Sequence, residues 1–155
     1  MSAEKRKERS YDHQGEIPLC SAEWLADRME KGDADIVVLH CSWEPDRDDF
    51  NRLRIKGAEC FDMPFCCDRE TPYKNMLPTE EAFASYVTKL GVSTRDHVVV
   101  YDDDEEAPCA AAACRLWAMF RLFSHRHCSV LDGGLHHWLQ LGLPTQGYKA
   151  LSRLP

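Results

Sequence analysis

The sequence has no run of 18 apolar residues, so no segment is expected to cross a membrane as a helix. Residues 1–14, MSAEKRKERSYDHQ, contain no apolar stretch and are not expected to act as a secretory signal. No C-x-x-C pair occurs among the eight cysteines, so the usual spacing of zinc and redox pairs is missing. Internal repeats and low-complexity linkers are absent as well. Positive charge is in deficit: 19 Lys and Arg stand against 26 Asp and Glu, a net charge of −7. Such a surface repels phosphate backbones, so no nucleic-acid partner is expected.

What is present fits one ordinary domain of 155 residues with a single core. With 44% hydrophobic and 29% charged residues, the composition excludes a disordered chain. The cysteines stand at 20, 41, 60, 66, 67, 109, 114 and 128. Without a secretory signal they are expected as reduced thiols in the cytoplasm, with the mitochondrion as the alternative compartment. Cys41, Cys60 and Cys128 lie in apolar runs and read as small buried hydrophobes. The basic cluster Lys5, Arg6 and Lys7 is flanked by Glu4 and Glu8, which suits a solvated tail better than a targeting signal.

From residue 17 onward helix and strand patterns alternate. Ser21 is placed to cap a first helix whose Ala22, Leu25 and Met29 share a face, and Gly32 ends it. Residues 36–41, IVVLHC, form an apolar run of strand length, suited to a strand covered on both faces. A polar loop follows, then a short strand over 60–62. Residues 63–78 make a second long connection broken by Pro64, Pro72 and Pro78. Thr79 caps a helix with Phe83, Tyr86, Val87 and Leu90 at i, i+3, i+4, i+7, and Gly91 stops it. HVVVY at 97–101 is the clearest strand. Pro108 suits the first position of a third helix, along which Leu116, Met119, Phe120 and Phe123 repeat the four-point stripe. A strand at 128–131, a turn at 132–134 and a last helix lined by Leu135, Trp138 and Leu139 complete the pattern. This alternation predicts an α/β fold with a mostly parallel central sheet and helices on both faces. Ligands of such sheets bind beyond the carboxyl ends of the strands. The loops to search therefore follow Cys41, Asp62, Tyr101 and Leu131.

Several motifs compete for a function. Cys109 and Arg115 have the C-x5-R spacing of cysteine phosphatases, but the intervening AAAAC is helix-forming rather than an open phosphate cradle. A Cys109 at a helix N-terminus could still be a reactive thiol. Asp102 and Asp104 are spaced as in Mg-dependent aspartyl phosphotransferases. The plainer reading is a solvated acidic loop. His125, His127 and Cys128, like His136 and His137, lack the spacing of a metal site and read as ordinary surface or capping residues. No metal or cofactor is expected. Cys66 and Cys67 form a vicinal pair in a long loop, open to oxidation. Trp24, Trp43, Trp117 and Trp138 read as core or pocket-wall aromatics.

The segments SAEWLADRM, DIVVLHCSW, IKGAECFD, the MLP of 76–78, LGVSTRDHVVVYD, RLWAMFRLF and SVLDGGLHHWLQLGLP occur in this order. Together, over about residues 17–144, they resemble the N-terminal rhodanese domain of the two-domain sulfurtransferases, which act on thiosulfate or 3-mercaptopyruvate. The resemblance implies a three-layer α/β/α rhodanese-like domain over 17–146, a disordered polar tail over 1–16 and the start of a linker or tail over 147–155. In that family a cysteine just after a strand takes up sulfane sulfur as a persulfide, inside a loop whose N–H groups point inward. Here the matching strand is HVVVY, and Asp102 occupies the cysteine position at the head of an acidic loop, 102–106. A carboxylate cannot become a persulfide. The resemblance therefore implies the non-catalytic half of a sulfurtransferase, with no catalytic residue of its own. Its expected partner is a catalytic rhodanese domain, in the same chain or another. A small anionic sulfur donor is expected only in the completed site. Asp62, from the family's FD motif, is implied to face that site. Arg54 is the basic residue expected before the Ile55-x-Gly57-Ala58 segment, in which Lys56 replaces the usual Pro. Asn75 stands where a His commonly precedes MLP. Two alternatives remain: a stand-alone persulfide carrier using Cys109, and a regulatory module whose acidic loop 102–106 docks a basic partner.

Overall fold

The computed structural model describes residues 17–43, 53–103 and 111–147. The expected tail over 1–16, the acidic residues 104–106, Pro108 and Cys109 all lie outside these residues.

Local sequence sets the elements. Helix α1 spans Ala22–Glu30, and the Ser21 hydroxyl accepts from the Trp24 N–H at 3.1 Å. Helix α2 spans Glu80–Lys89, and Thr79 Oγ1 accepts from the Ala82 N–H at 3.2 Å. Each cap satisfies an amide that the helix itself leaves unpaired. Helix α3 spans Ala111–Leu122, so Ala111, Ala112 and Ala113 are helical as their propensity dictates. Helix α4 spans Gly134–Gln140.

The strands are β1 (Leu19–Cys20), β2 (Ile36–Ser42), β3 (Arg54–Ile55), β4 (Glu59–Asp62), β5 (His97–Tyr101), β6 (Cys128–Leu131) and β7 (Thr145–Gln146). Five of them form one sheet in the order β1-β6-β5-β2-β4, and every pairing in it is parallel. The other two, β3 and β7, make a small antiparallel ribbon. Tyr101 joins ribbon to sheet, its hydroxyl oxygen accepting from the Ile55 N–H at 3.1 Å.

Alternation along the strands divides the core in two. Leu39, Cys41, Phe61, Val98, Val100 and Val130 pack against Phe83 and Val87 of α2 and Leu116, Met119 and Phe120 of α3. Val38, Val99, Tyr101 and Leu131 face Leu25 of α1 and Leu135 and Trp138 of α4. The result is the three-layer arrangement expected from the sequence. Each large side chain that is fully buried here, such as Trp138, Phe61 or Phe120, contributes about 1.5–3 kcal/mol.

Two expectations change. Leu139 is 39% exposed, because Leu135 and Trp138 already point inward and Leu139 falls on the helix flank. Cys60 is only half-buried, since β4 is the sheet's edge and Phe61 takes its inward position. The two-residue strands β1, β3 and β7 carry no periodicity from which to predict them.

Candidate functional site

Because the sheet is parallel, its carboxyl ends share one edge. Trp43, Met63, Asp102 and Asp132 are the first residues beyond four of the strands. The loops on this edge carry most of the chemistry.

Asp102 is held on two sides. Its backbone carbonyl accepts from the Leu135 N–H at 3.0 Å, at the start of α4. Its carboxylate accepts from the Ala113 N–H at 3.1 Å, in the first turn of α3. Negative charge is favoured there by the helix dipole and the unpaired first-turn amides. Gly134 makes the first contact possible. Its φ is +55°, and a Cβ at that position would lie 2.7 Å from the Asp102 carbonyl oxygen. Asp102 is 6% exposed, so the expectation of a solvated acidic loop fails at its first residue. An aspartyl phosphotransferase needs a carboxylate that substrate can reach, and this one is buried.

Asp103 follows with a half-exposed side chain, and its Oδ1 lies 3.6 Å from Nε2 of buried His40. The His40 ring meets Tyr101 edge-on at 5.0 Å between centroids. Burial lowers the proton affinity of His40; Asp103 opposes this and the Arg54 charge adds to it. The sequence reading missed His40. The available signal was one titratable residue inside the apolar run 36–41.

Arg54 is half-buried in β3, across from Gln146 of β7. Its positive charge acts on His40, Cys60 and Tyr101 together. Asp62 ends β4, half-buried. One carboxylate oxygen accepts from the Phe65 N–H at 2.9 Å, and its own N–H donates to the Tyr86 hydroxyl at 3.0 Å. It thus turns the chain into the 63–78 loop. The charges of Asp62 and Arg54 both act on Cys60, in opposite directions.

Asn75 is exposed at φ +60° and joins a different group. Its carbonyl accepts from the Arg115 guanidinium, whose carbon sits 5.3 Å from the centre of the Trp43 ring. Arg115 is therefore a helix residue clamping a loop. It is not the anion-binding arginine of a phosphatase cradle.

Four of the thiols are pushed toward their protonated form. Burial pushes Cys41 well above the usual range, with the Asp102 charge adding, and burial raises Cys128 likewise. Burial also pushes Cys60 and Cys66 up to about 11, aided by Asp62 at Cys60 and by Cys67 at Cys66. The vicinal pair is split in its surroundings: Cys66 is buried, while half-buried Cys67 donates to the Met63 carbonyl at 3.1 Å. All seven described cysteines are free thiols. Among the described residues no group of three or more His, Cys, Asp or Glu could hold a metal ion. No helix among them is long and apolar enough to cross a membrane.

Residues 21–141 match the family model of the Rhodanese-like domain. The chain belongs to the rhodanese-like family. This rhodanese-like domain is 44% identical over 134 residues to thiosulfate sulfurtransferase of Gallus gallus, covering 82% of this chain and 46% of the relative. It is 40% identical over 140 residues to 3-mercaptopyruvate sulfurtransferase of Homo sapiens, covering 85% and 46%. Among solved structures it is similar to the 3-mercaptopyruvate sulfotransferase SseA of Escherichia coli, with a TM-score of 0.70 and 29% identity over 84% of this chain and 50% of that one. Tum1 of Saccharomyces cerevisiae shares the fold at a TM-score of 0.72 and 21% identity, over 86% of this chain and 45% of that one. The domain thus spans about half the length of the curated relatives it matches.

Proposed function

We propose that this domain is the non-catalytic half of a thiosulfate or 3-mercaptopyruvate sulfurtransferase, walling one side of a site that a catalytic rhodanese domain completes. The observation that carries this reading is the Asp102 carboxylate, buried against the Ala113 amide at the head of the loop after β5. Sulfur transfer from thiosulfate needs a thiolate that attacks the outer sulfur. A sulfur–sulfur bond to the protein forms, and sulfite leaves with the electron pair of the bond that breaks. Asp102 has no sulfur to offer. The four thiols that burial raises hold their protons at neutral pH and are poor nucleophiles.

The same edge supplies polar wall and docking surface. The charges of Arg54 and Asp62 both act on Cys60, and the Asn75 carbonyl accepts from Arg115. The 63–78 loop beside them exposes Phe65 at 55% and Tyr73 at 71%, with Met76 and Leu77 also exposed. An apolar loop of this kind suits a second folded domain. The matching relatives are about twice as long, which accommodates that partner in cis, and a separate chain would serve in trans.

The test is to incubate the purified chain with thiosulfate or 3-mercaptopyruvate and cyanide. Thiocyanate is expected at the level of heat-killed protein. A cyanide-labile sulfur on the chain, lost in Cys109→Ser and kept in the other cysteine variants, would overturn the reading.

A further inference from the structure

The amino ends of the strands, opposite the edge that carries Asp102, border a groove of about 810 Å³. None of its groups takes part in the sulfur-transfer reading. Both halves of the core come to the surface there. Met29, Ile36 and Leu143 belong to one half, Val37 and Leu90 to the other, and all five side chains are only half-buried. Much of the bordering backbone is already satisfied. The N–H groups of Ile36, Lys56 and Gly91 donate to the carbonyls of Asp33, Pro144 and Thr88. The Gly57 N–H donates to the Gln146 side chain, and the Trp138 indole N–H to the Pro144 carbonyl. A guest that needs many hydrogen-bond partners, such as a sugar or an added strand, gains little from them. A hydrocarbon or aromatic body gains by covering the half-open apolar walls.

We propose that this groove binds a small lipophilic amine, an apolar body carrying one ammonium group. Its volume suits such a guest, since small-ligand sites span about 300–1,000 Å³. Charge sets the head group. Glu30, Asp33 and Glu59 line the groove against a single cation, Lys56. Asp33 is paired with Arg28 at 2.5 Å, whereas Glu30 and Glu59 are exposed and form no ion pair among the described residues. Two helices add to this. α1 ends at Glu30 and α2 at Lys89, just before Leu90 and Gly91, so both helices reach their carboxyl ends at the groove. A helix carboxyl end carries partial negative charge and favours a cation beside its last turn. The net charge of −7 also works against an anionic head group. The ammonium stays at the wet rim while the apolar body enters, as the long stem and charged head of a lysine do.

The probes are octylammonium, octanol and octanoate, which share one hydrocarbon body, titrated into the full chain by isothermal calorimetry at low salt. Octylammonium is expected to bind about threefold or more tighter than octanol and about tenfold or more tighter than octanoate. Glu30→Gln and Glu59→Gln should each weaken octylammonium ~twofold or more and leave octanol unchanged. Their thermal midpoints should match the parent's, because both side chains are exposed. Ala26 lines the groove, so Ala26→Phe sets a ring inside it and should abolish binding of octanol and octylammonium alike. The glutamine variants decide the matter whether or not Ala26→Phe folds. Absence of octylammonium binding, octanol or octanoate binding as tightly as octylammonium, or glutamine variants of unchanged affinity overturns the proposal. So does a folded Ala26→Phe variant that still binds.

Discussion

The carboxylate of Asp102 accepts a hydrogen bond from the backbone N–H of Ala113 at 3.1 Å, although eleven positions separate the two in sequence. A side chain that begins a loop thus caps the helix that ends it. Asp102→Ala removes the acceptor and leaves a buried amide unsatisfied, so a loss of about 1–3 kcal/mol is expected in urea unfolding. Asp102→Asn keeps an oxygen in place and should lose less. Equal stability of the alanine variant and the parent would show that the contact contributes nothing.

Two glycines separate backbone strain from steric conflict. Gly57 has φ +82° with open space around a would-be Cβ, so Gly57→Ala should cost about 1 kcal/mol. Gly134 combines φ +55° with the Asp102 carbonyl 2.7 Å from a Cβ, so Gly134→Ala should cost clearly more. Paired thermal melts read the difference, and matching midpoints for the two variants would contradict the close approach at Asp102.

The Asn75–Arg115–Trp43 contact holds the 63–78 loop onto α3. Arg115→Ala should release it, at a cost of about 1 kcal/mol for the lost cation–π and hydrogen-bond contacts. Limited trypsin digestion should then cut faster after Lys74, which is already exposed on that loop. A cleavage rate equal to the parent's would mean that the loop is held by other means.

His97 gives a pH dependence of known sign. Its Nε2 lies 2.7 Å from the Ser129 hydroxyl, and its ring lies 5.2 Å from that of Trp24. Burial, then the charges of His127, Arg28 and His125, lower its pKa from 6.5 to about 4, while Asp33 opposes them. The unfolded chain therefore takes up the proton first. The stabilisation is complete above about pH 6.5 and is lost as pH falls toward 4. In His97→Gln, which keeps a hydrogen-bonding group near Ser129, the urea midpoint should fall less over that interval. An undiminished fall in the variant would place the acid sensitivity elsewhere.

The sequence made the layers legible because long elements repeat. Phe83 and Val87, or Leu116, Met119 and Phe120, declare one helical face, and HVVVY declares a strand buried on both sides. The site was only partly legible. Asp102 was found through its place after β5, but its burial depends on Ala113 and Gly134, which no local pattern connects to it. Asp62, Arg54 and Asn75 came from resemblance. That the charges of Arg54 and Asp62 both act on Cys60, while Asn75 instead meets Arg115, follows from loops without periodicity. His40 stayed hidden because a run of apolar neighbours makes one imidazole look like filler.

Leu19 lies beside Val130, and Arg54 beside Gln146. Pairings of such long sequence separation close late, since the chain entropy of the intervening residues must be lost before any contact forms. On a ribosome the first strand waits until Val130 has left the exit tunnel, and the ribbon waits longer still. Until then Cys20 and the apolar face of α1 stay uncovered, which leaves apolar surface exposed through most of synthesis.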